Sequence, residues 1–464
     1  MRWPAPPRRA SAAAAPATGL SARQRTPSRS RRIERGSGTT AIFPSGTPRR
    51  EPLPRIRVLR RCMPRFEAFR GLRYSPAVAP LDDLIAPPYD VVDAEERERL
   101  ATRSPYNSIL VELPAADPAR GLDRYQVAAA LFESWLADGV LVRDPSPALY
   151  VYKMGFTDPA GKLRATHGVI GALGLEPAGG AVVPHEQTMS APGRDRLDLL
   201  RACRVNCSPI WGLSLADGLT AACAAAAGMA REYVAATDDE GTTHEIWRVD
   251  DDDAIGAISD LVAPASVVIA DGHHRHETAA RYRDECLARG GTSPAGYDSV
   301  MALVAELAPD ELNLHAIHRL VTGLPAGFDL ADALRRHFEL LPAPEEVAAL
   351  TAAMASRGAP ALVTGGGTWL LGQRGRPPSG GSGPDPRRVD EALDGLPHHA
   401  TAYQHGAARA VDAVRQGRAE AAVLVRPVTV DQLAEAVRRG GRMPPKSTYF
   451  HPKPRTGFVF RSLR

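Results

Sequence analysis

From Arg65 onward, apolar residues recur at two spacings in turn, that of buried strands and that of amphipathic helices, which predicts an interleaved α/β (mixed α+β) chain. The stiff turn Ala86-Pro87-Pro88-Tyr89-Asp90-Val91-Val92 leads into a predicted helix over 94–101, because residues before proline avoid the helical region. Residues 109–113, Ile-Leu-Val-Glu-Leu, predict a strand; 125–138 predict an amphipathic helix. Segments 149–156 and 166–175 predict a hairpin about Asp158-Pro159-Ala160-Gly161. A helix over 254–261, a short buried strand over 266–270 and a helix running to about residue 288 follow. Beyond these, 330–338 and 344–355 predict helices, and 373–388, dense in Gly and Pro, predicts a loop. Helices over 403–416 and 430–438 are expected to flank a strand over 421–426.

The chain has 464 residues, 44% of them hydrophobic and 24% charged, enough for two or three domains with real cores. Its net charge of +4 conceals an asymmetry: residues 1–62 hold 15 Arg against 2 Glu, +13 in all, so the remainder carries −9. An acidic folded part argues against grip on nucleic acid by phosphate neutralisation. The Arg/Pro/Ala/Ser-rich residues 1–62 predict disorder. Arg and Ser suit a transit peptide, but the prolines interrupt any amphipathic helix, and the expectation is an extension upstream of a start at Met63. Residues 63–290 are expected to hold a nucleotide-binding core and 291–464 a C-terminal α/β portion ending in a basic loop. Five cysteines form no disulfide framework and Cys203 and Cys207 lack zinc-site companions, which fits a reducing, cytoplasmic setting. The longest apolar run, 221–230, is too short to cross a bilayer.

Three segments carry chemistry. In the first, the apolar strand Val267-Val268-Ile269-Ala270 turns at Asp271-Gly272 into a helix opening with His273, His274 and Arg275. Helix-terminal N–H groups, a glycine permitting close approach and an arginine fork make an anion cradle. The plainer reading is that Asp271 caps the helix and the histidines are ordinary polar residues. His276-Glu277 is no zinc-protease motif, since the residue four beyond His276 is Ala280. The second segment, Pro184-His185-Glu186-Gln187-Thr188, offers a proton-transfer pair, with Arg194, Arg196 and Arg201 following; it reads equally well as an exposed turn. The third, Met443-Pro444-Pro445-Lys446-Ser447-Thr448-Tyr449-Phe450-His451-Pro452-Lys453-Pro454-Arg455, is a proline-stiffened basic segment suited to clamping phosphate or carboxylate, or else a solvated tail.

These motifs, with Phe69-Arg70-Gly71-Leu72-Arg73-Tyr74 and Pro87-Pro88-Tyr89-Asp90, occur together in an order that resembles the bacterial domain-of-unknown-function family 1015, across essentially residues 63–464. That family in turn resembles the ParB/sulfiredoxin-like superfamily, which binds nucleoside phosphates through a Gly-x-Arg-Arg-type turn; Gly272-His273-His274-Arg275 is the matching stretch. The resemblance implies a ParB/sulfiredoxin-like nucleotide-binding core with large insertions, a nucleoside di- or triphosphate (ATP or ADP) with Mg2+, and a small-molecule substrate. It implies a phosphotransferase acting on a hydroxyl-bearing metabolite such as free serine. Asp90, Glu186, His185 and His273 are the catalytic candidates. Asp271, Gly272, His273, His274, Arg275, Lys446, Ser447, Thr448 and Arg455 are the binding candidates. A non-catalytic nucleotide sensor and a metal-dependent phosphohydrolase built on His185, Glu186, His273 and His274 are the alternatives.

Overall fold

The computed structural model describes residues 65–158, 161–175, 182–184, 190–374, 384–439, 443 and 446–464. The expectation of disorder over 1–62 falls outside them, as do the candidates His185 and Glu186.

Two sheets organise the chain. The first has nine described strands in the order Val182–Pro184, Val267–Asp271, Ile210–Ser214, Ser299–Glu306, Leu163–Gly174, Leu149–Thr157, Thr243–Val249 and Glu232–Thr237, with Phe66–Glu67 added on Leu163–Gly174. Two neighbouring pairs are parallel, Val267–Asp271 with Val182–Pro184 and Ser299–Glu306 with Ile210–Ser214; the others are antiparallel. The central strands are covered on both faces, which is why they are apolar without alternation. On one face, Val267, Val300, Ala302 and Val304 pack with Leu219, Cys223 and Ala226 of the helix Leu219–Met229 and with Ile258 and Val262 of the helix Asp252–Val262. On the other, Val268, Ala270, Met301 and Leu303 pack with Phe450, Phe458 and Val459 of the C-terminal segment.

The second sheet, entirely antiparallel, runs Phe338–Pro342, Gly367–Gln373, Ala361–Thr364, Ala421–Leu424, Ile317–Thr322 and Ala400–His405. The helices Val347–Arg357 and Ala407–Arg415 cover one face through Leu350, Met354, Ala410 and Val414. Leu330–Leu334 and Asp385–Asp394 cover the other through Leu334, Val389 and Leu393. The strand Ser299–Glu306 still belongs to the first sheet, the second begins with Ile317–Thr322, and residues 446–464 return to the first sheet. Arg461–Ser462 pairs with Val205–Asn206, and Phe460 is fully buried with edge-on contacts to Phe132 and Tyr74.

The helices predicted near 94, 125, 254 and 430 are present, as are the hairpin strands Leu149–Thr157 and Leu163–Gly174. Several local expectations are corrected. Residues Ile109–Glu112 form one helical turn, not a strand: the Asn107 carboxamide accepts the Ile109 N–H, and burial of Ile109 and Val111 overrides their β propensity. The helix beginning at Leu330 stops at Leu334, and Phe338 opens a strand paired with Gln373. Tyr403 lies in the strand Ala400–His405; the helix starts only at Ala407, after Gly406 at φ +81°. Within the predicted loop over 373–388, Asp385–Arg388 already belong to a helix, capped by Pro384.

If the docked C-terminal segment is structural, Phe460→Ala should remove about 3–5 kcal/mol of unfolding free energy in a urea titration. A loss under about 1 kcal/mol would show that the aromatic cluster closes around the gap.

Candidate functional site

The strand Val267–Asp271 ends at the head of the helix His273–Ala288, and the link between them is Gly272 alone. Gly272 sits at φ +87°, a backbone that favours glycine, and a Cβ there would lie 3.0 Å from the Arg275 guanidinium, which would have to give by a few tenths of an ångström. The turn lets the first helical residues, His273, His274 and Arg275, border a cavity of about 270 Å³. Helix N-termini present N–H groups and the positive end of the helix dipole.

Asp90, Asp271, Gly272, His273, His274, Arg275, Lys446 and Thr448 all line this cavity, so most of the candidates drawn from three distant segments converge. Lys453 ties them together. Its ammonium donates to Asp90 Oδ2 at 2.7 Å and to Asp271 Oδ1 at 2.7 Å while only 7% of its side chain is exposed. Burial opposes the charged form of Lys453, but Asp271 and then Asp90 outweigh it and raise its pKa well above the usual lysine value. Burial likewise opposes ionisation of Asp271; Lys453 and Arg275 overcome it and hold that carboxyl well below the usual range.

Arg275 is engaged with the protein's own acceptors. Its Nη1 donates to Ser208 Oγ at 2.9 Å and to the Pro209 carbonyl at 2.7 Å, and its Nη2 to Asp271 Oδ2 at 2.7 Å. Ser208 Oγ in turn donates to the buried Glu112 carboxylate at 3.0 Å. Tyr89 lies beneath two guanidiniums, Arg196 at 4.3 Å and Arg275 at 5.9 Å from its ring centre, which fixes the turn carrying Asp90. Among the described residues that line the cavity, Arg275, Lys446 and Lys453 are cations and Asp90 and Asp271 carboxylates.

Lys446 takes a left-handed backbone, φ +55°, uncommon for a residue with a side chain. Its carbonyl accepts a hydrogen bond from Arg319 Nη1 at 3.3 Å. Arg319 is fully buried and doubly bonded to Asp390, at 2.8 Å on each of two nitrogens. Ser447 is buried and does not border the cavity. Arg455 is placed elsewhere: it pairs with Asp238, which also accepts from His244 Nε2 at 2.9 Å, while His244 Nδ1 meets Tyr152 Oη at 2.8 Å. The Arg455 backbone N–H donates to the same Tyr152 hydroxyl at 3.1 Å. Arg455 therefore anchors the segment two residues past Lys453 and does not border this cavity.

The sequence reading did not single out Tyr403, His405 and Tyr449, which also line the cavity. Tyr403 and His405 stand two apart in a strand, the spacing that puts side chains on one face, and that signal was obscured by a helical reading of the same stretch. His405 is pushed down to about 4 by burial first and then by Lys453 and Lys446. Among the described residues, no group of three or more His, Cys, Asp or Glu side chains is arranged to hold a metal ion. No described helix is long and apolar enough to cross a membrane.

Residues 66–398 match the family described as protein of unknown function, DUF1015. The chain belongs to that family. No curated protein matches the sequence of this DUF1015 member. Among solved structures, it is similar to a free serine kinase in complex with AMP, at 15% identity and TM-score 0.33, over 61% of this chain and 86% of that one. It is also similar to a conserved hypothetical protein from Pyrococcus furiosus, at 14% identity and TM-score 0.35, over 63% and 93%. A third similarity is to a C-terminally truncated SbnI from Staphylococcus aureus, at 10% identity and TM-score 0.35, over 62% and 85%. At those scores the likenesses assign no residue a role.

Lys453→Met should destabilise the DUF1015 protein by about 3–5 kcal/mol in urea, because it leaves two carboxylates without their shared cation; an unchanged midpoint would mean the carboxylates find other partners. The His405 ring should titrate in proton NMR with a midpoint near 4. Since that lies below the unfolded value of about 6.5, its stabilising contribution is present above about pH 6.5 and is lost as pH falls through 4. A midpoint at the ordinary value would show that Lys453 and Lys446 do not act on the ring.

Proposed function

We propose that this protein is a nucleotide-dependent phosphotransferase acting on a small hydroxyl-bearing metabolite, at the cavity between the Gly272 turn and the Lys446–Lys453 segment. The observation that carries the proposal is the pair Asp90 and Asp271, held on one buried ammonium beside a glycine-opened helix N-terminus. Phosphoryl transfer asks for positioning and charge stabilisation more than for covalent chemistry. The cavity's volume, near the low end of the roughly 300–1,000 Å³ usual for small-molecule sites, suits a metabolite rather than a polymer.

The division of labour follows from chemistry. The backbone of Gly272, His273 and His274 and the Lys446 ammonium receive phosphate oxygens. Asp90 accepts the proton of the acceptor hydroxyl as its oxygen bonds to the terminal phosphorus and the bond to the leaving phosphate breaks. Asp90 suits that work because 34% of its side chain is exposed, whereas Asp271 is held ionised in the floor. Mg2+ requires only one or two protein carboxylates when substrate phosphates complete its shell. Lys453 and Arg275 already occupy the carboxylates of Asp90 and Asp271, so the ion would be held chiefly by substrate phosphates and water, and it would neutralise charge on the phosphates. Free serine is the first acceptor to test, on the resemblance of the Gly272-to-Arg275 turn to a superfamily with free-serine kinase members. Glu186, His185 and His273 remain candidates for assisting groups.

Protein incubated with Mg2+, nucleoside di- and triphosphates and a pool of hydroxyl-bearing metabolites including serine should yield a new phosphate ester by phosphorus NMR. Asp90→Asn should slow its formation at least about 100-fold while nucleotide affinity changes only a few-fold. Nucleotide binding with neither ester nor phosphate would favour a sensing protein. Phosphate released without an acceptor would favour a hydrolase.

A further inference from the structure

The cavity has two chemically different kinds of lining. Asp90, Asp271, Arg275, Lys446 and Lys453 supply charge, and phosphate recognition needs nothing more. Tyr403, His405 and Tyr449 supply flat rings, and the reading above gives them no task. Tyr403 and His405 come from Ala400–His405, the last strand of the second sheet, whereas Tyr449 lies on the same segment as Lys446 and Lys453.

The rings are set in place from behind. The Arg319 guanidinium lies 5.4 Å from the Tyr403 ring centre, and Arg319 is itself fully buried and held by Asp390. Tyr403 nonetheless keeps 41% of its surface exposed, one of the few large hydrophobic side chains among the described residues to do so. The His405 ring packs tilted against that of Tyr449, with centres 4.1 Å apart and planes at 42°, and the Tyr449 ring also lies 5.6 Å from the Lys453 ammonium. A ring backed by a fixed cation and open along a cavity is a stacking platform, and desolvating it against another ring is favourable. An aliphatic ligand would gain burial there but no ring-on-ring contact, whereas a flat heteroaromatic ring gains both.

We propose that Tyr403, with His405 and Tyr449 beside it, is the shelf on which the nucleobase of the phosphate donor stacks, making the second sheet the base-binding half of the site. The proposal rests on the reading of the charged lining as a phosphate site. It gives the C-terminal half a defined purpose: the Gly272 turn and its lysines take the phosphates, and the strand Ala400–His405 takes the base. Because every base offers a π-face, stacking of this kind tolerates base identity. The competing explanation is that Tyr403 merely shields the Arg319–Asp390 pair, in which case its removal changes stability and not ligand affinity.

The test is isothermal titration of the full chain with Mg-ATP and, separately, with inorganic Mg-tripolyphosphate, which has the phosphates and no base. Tyr403→Ala should weaken ATP binding by at least about fivefold and leave tripolyphosphate binding within about twofold, and Tyr403→Phe should restore the ATP affinity. If Tyr403→Ala lowers both affinities equally, or neither, the shelf is refuted while the phosphate site stands. If the unaltered protein binds neither probe at millimolar concentration, the phosphate reading fails and the shelf falls with it.

Discussion

One ammonium group between two carboxylates organises this protein's site. Lys453 is 363 residues from Asp90 and 182 from Asp271, yet it touches both at hydrogen-bond distance. A buried cation with one partner removed is strongly destabilising, so the contact constrains every segment that delivers a member of it. The chain meets that constraint with backbone pairing: the Ala86 and Thr456 peptides exchange hydrogen bonds of 3.0 and 2.8 Å, zipping the Asp90 turn to the Lys453 segment. Arg455, Asp238, His244 and Tyr152 fasten the same segment from the far side. Charge placement and backbone pairing therefore specify one arrangement together.

The second sheet completes the cavity without sharing the first sheet's core. Arg319 connects them, its charge neutralised by Asp390 and one of its nitrogens holding the Lys446 carbonyl. A left-handed lysine persists only where its surroundings over-determine it, and such residues concentrate where ligands are gripped. The site is thus assembled from a preformed strand-turn-helix on one side and a braced loop on the other, which limits how far its charged groups must move to meet a ligand.

What could be read from the sequence was what is local. The apolar run Val267-Val268-Ile269-Ala270, the glycine and the polar helical start declare a strand, a turn and a helix within a dozen residues, and the structure has them. The hairpin was legible for the same reason, each strand long enough to show its pattern. Short segments misled: Ile109–Glu112 carries strand-like residues but is buried as a helical turn, and Tyr403 sits close enough to a true helix to be absorbed into its pattern. Long-range partnership left no mark at all. Nothing local distinguishes Lys453, which meets Asp90 and Asp271, from Arg455, which meets Asp238 across 217 residues. The basic, proline-rich segment reaches the cavity, and only the fold shows that Lys446 and Lys453 line it while Arg455 does not.

The most direct test of this account is a crystal structure of the full chain grown with Mg2+ and a non-hydrolysable ATP analogue. The account predicts phosphate oxygens within hydrogen-bond distance of the His273 or His274 backbone N–H and of the Lys446 ammonium, with Asp90 and Asp271 beside them. Phosphates bound away from the Gly272 turn, or a cavity that excludes nucleotide at saturating concentration, would contradict it.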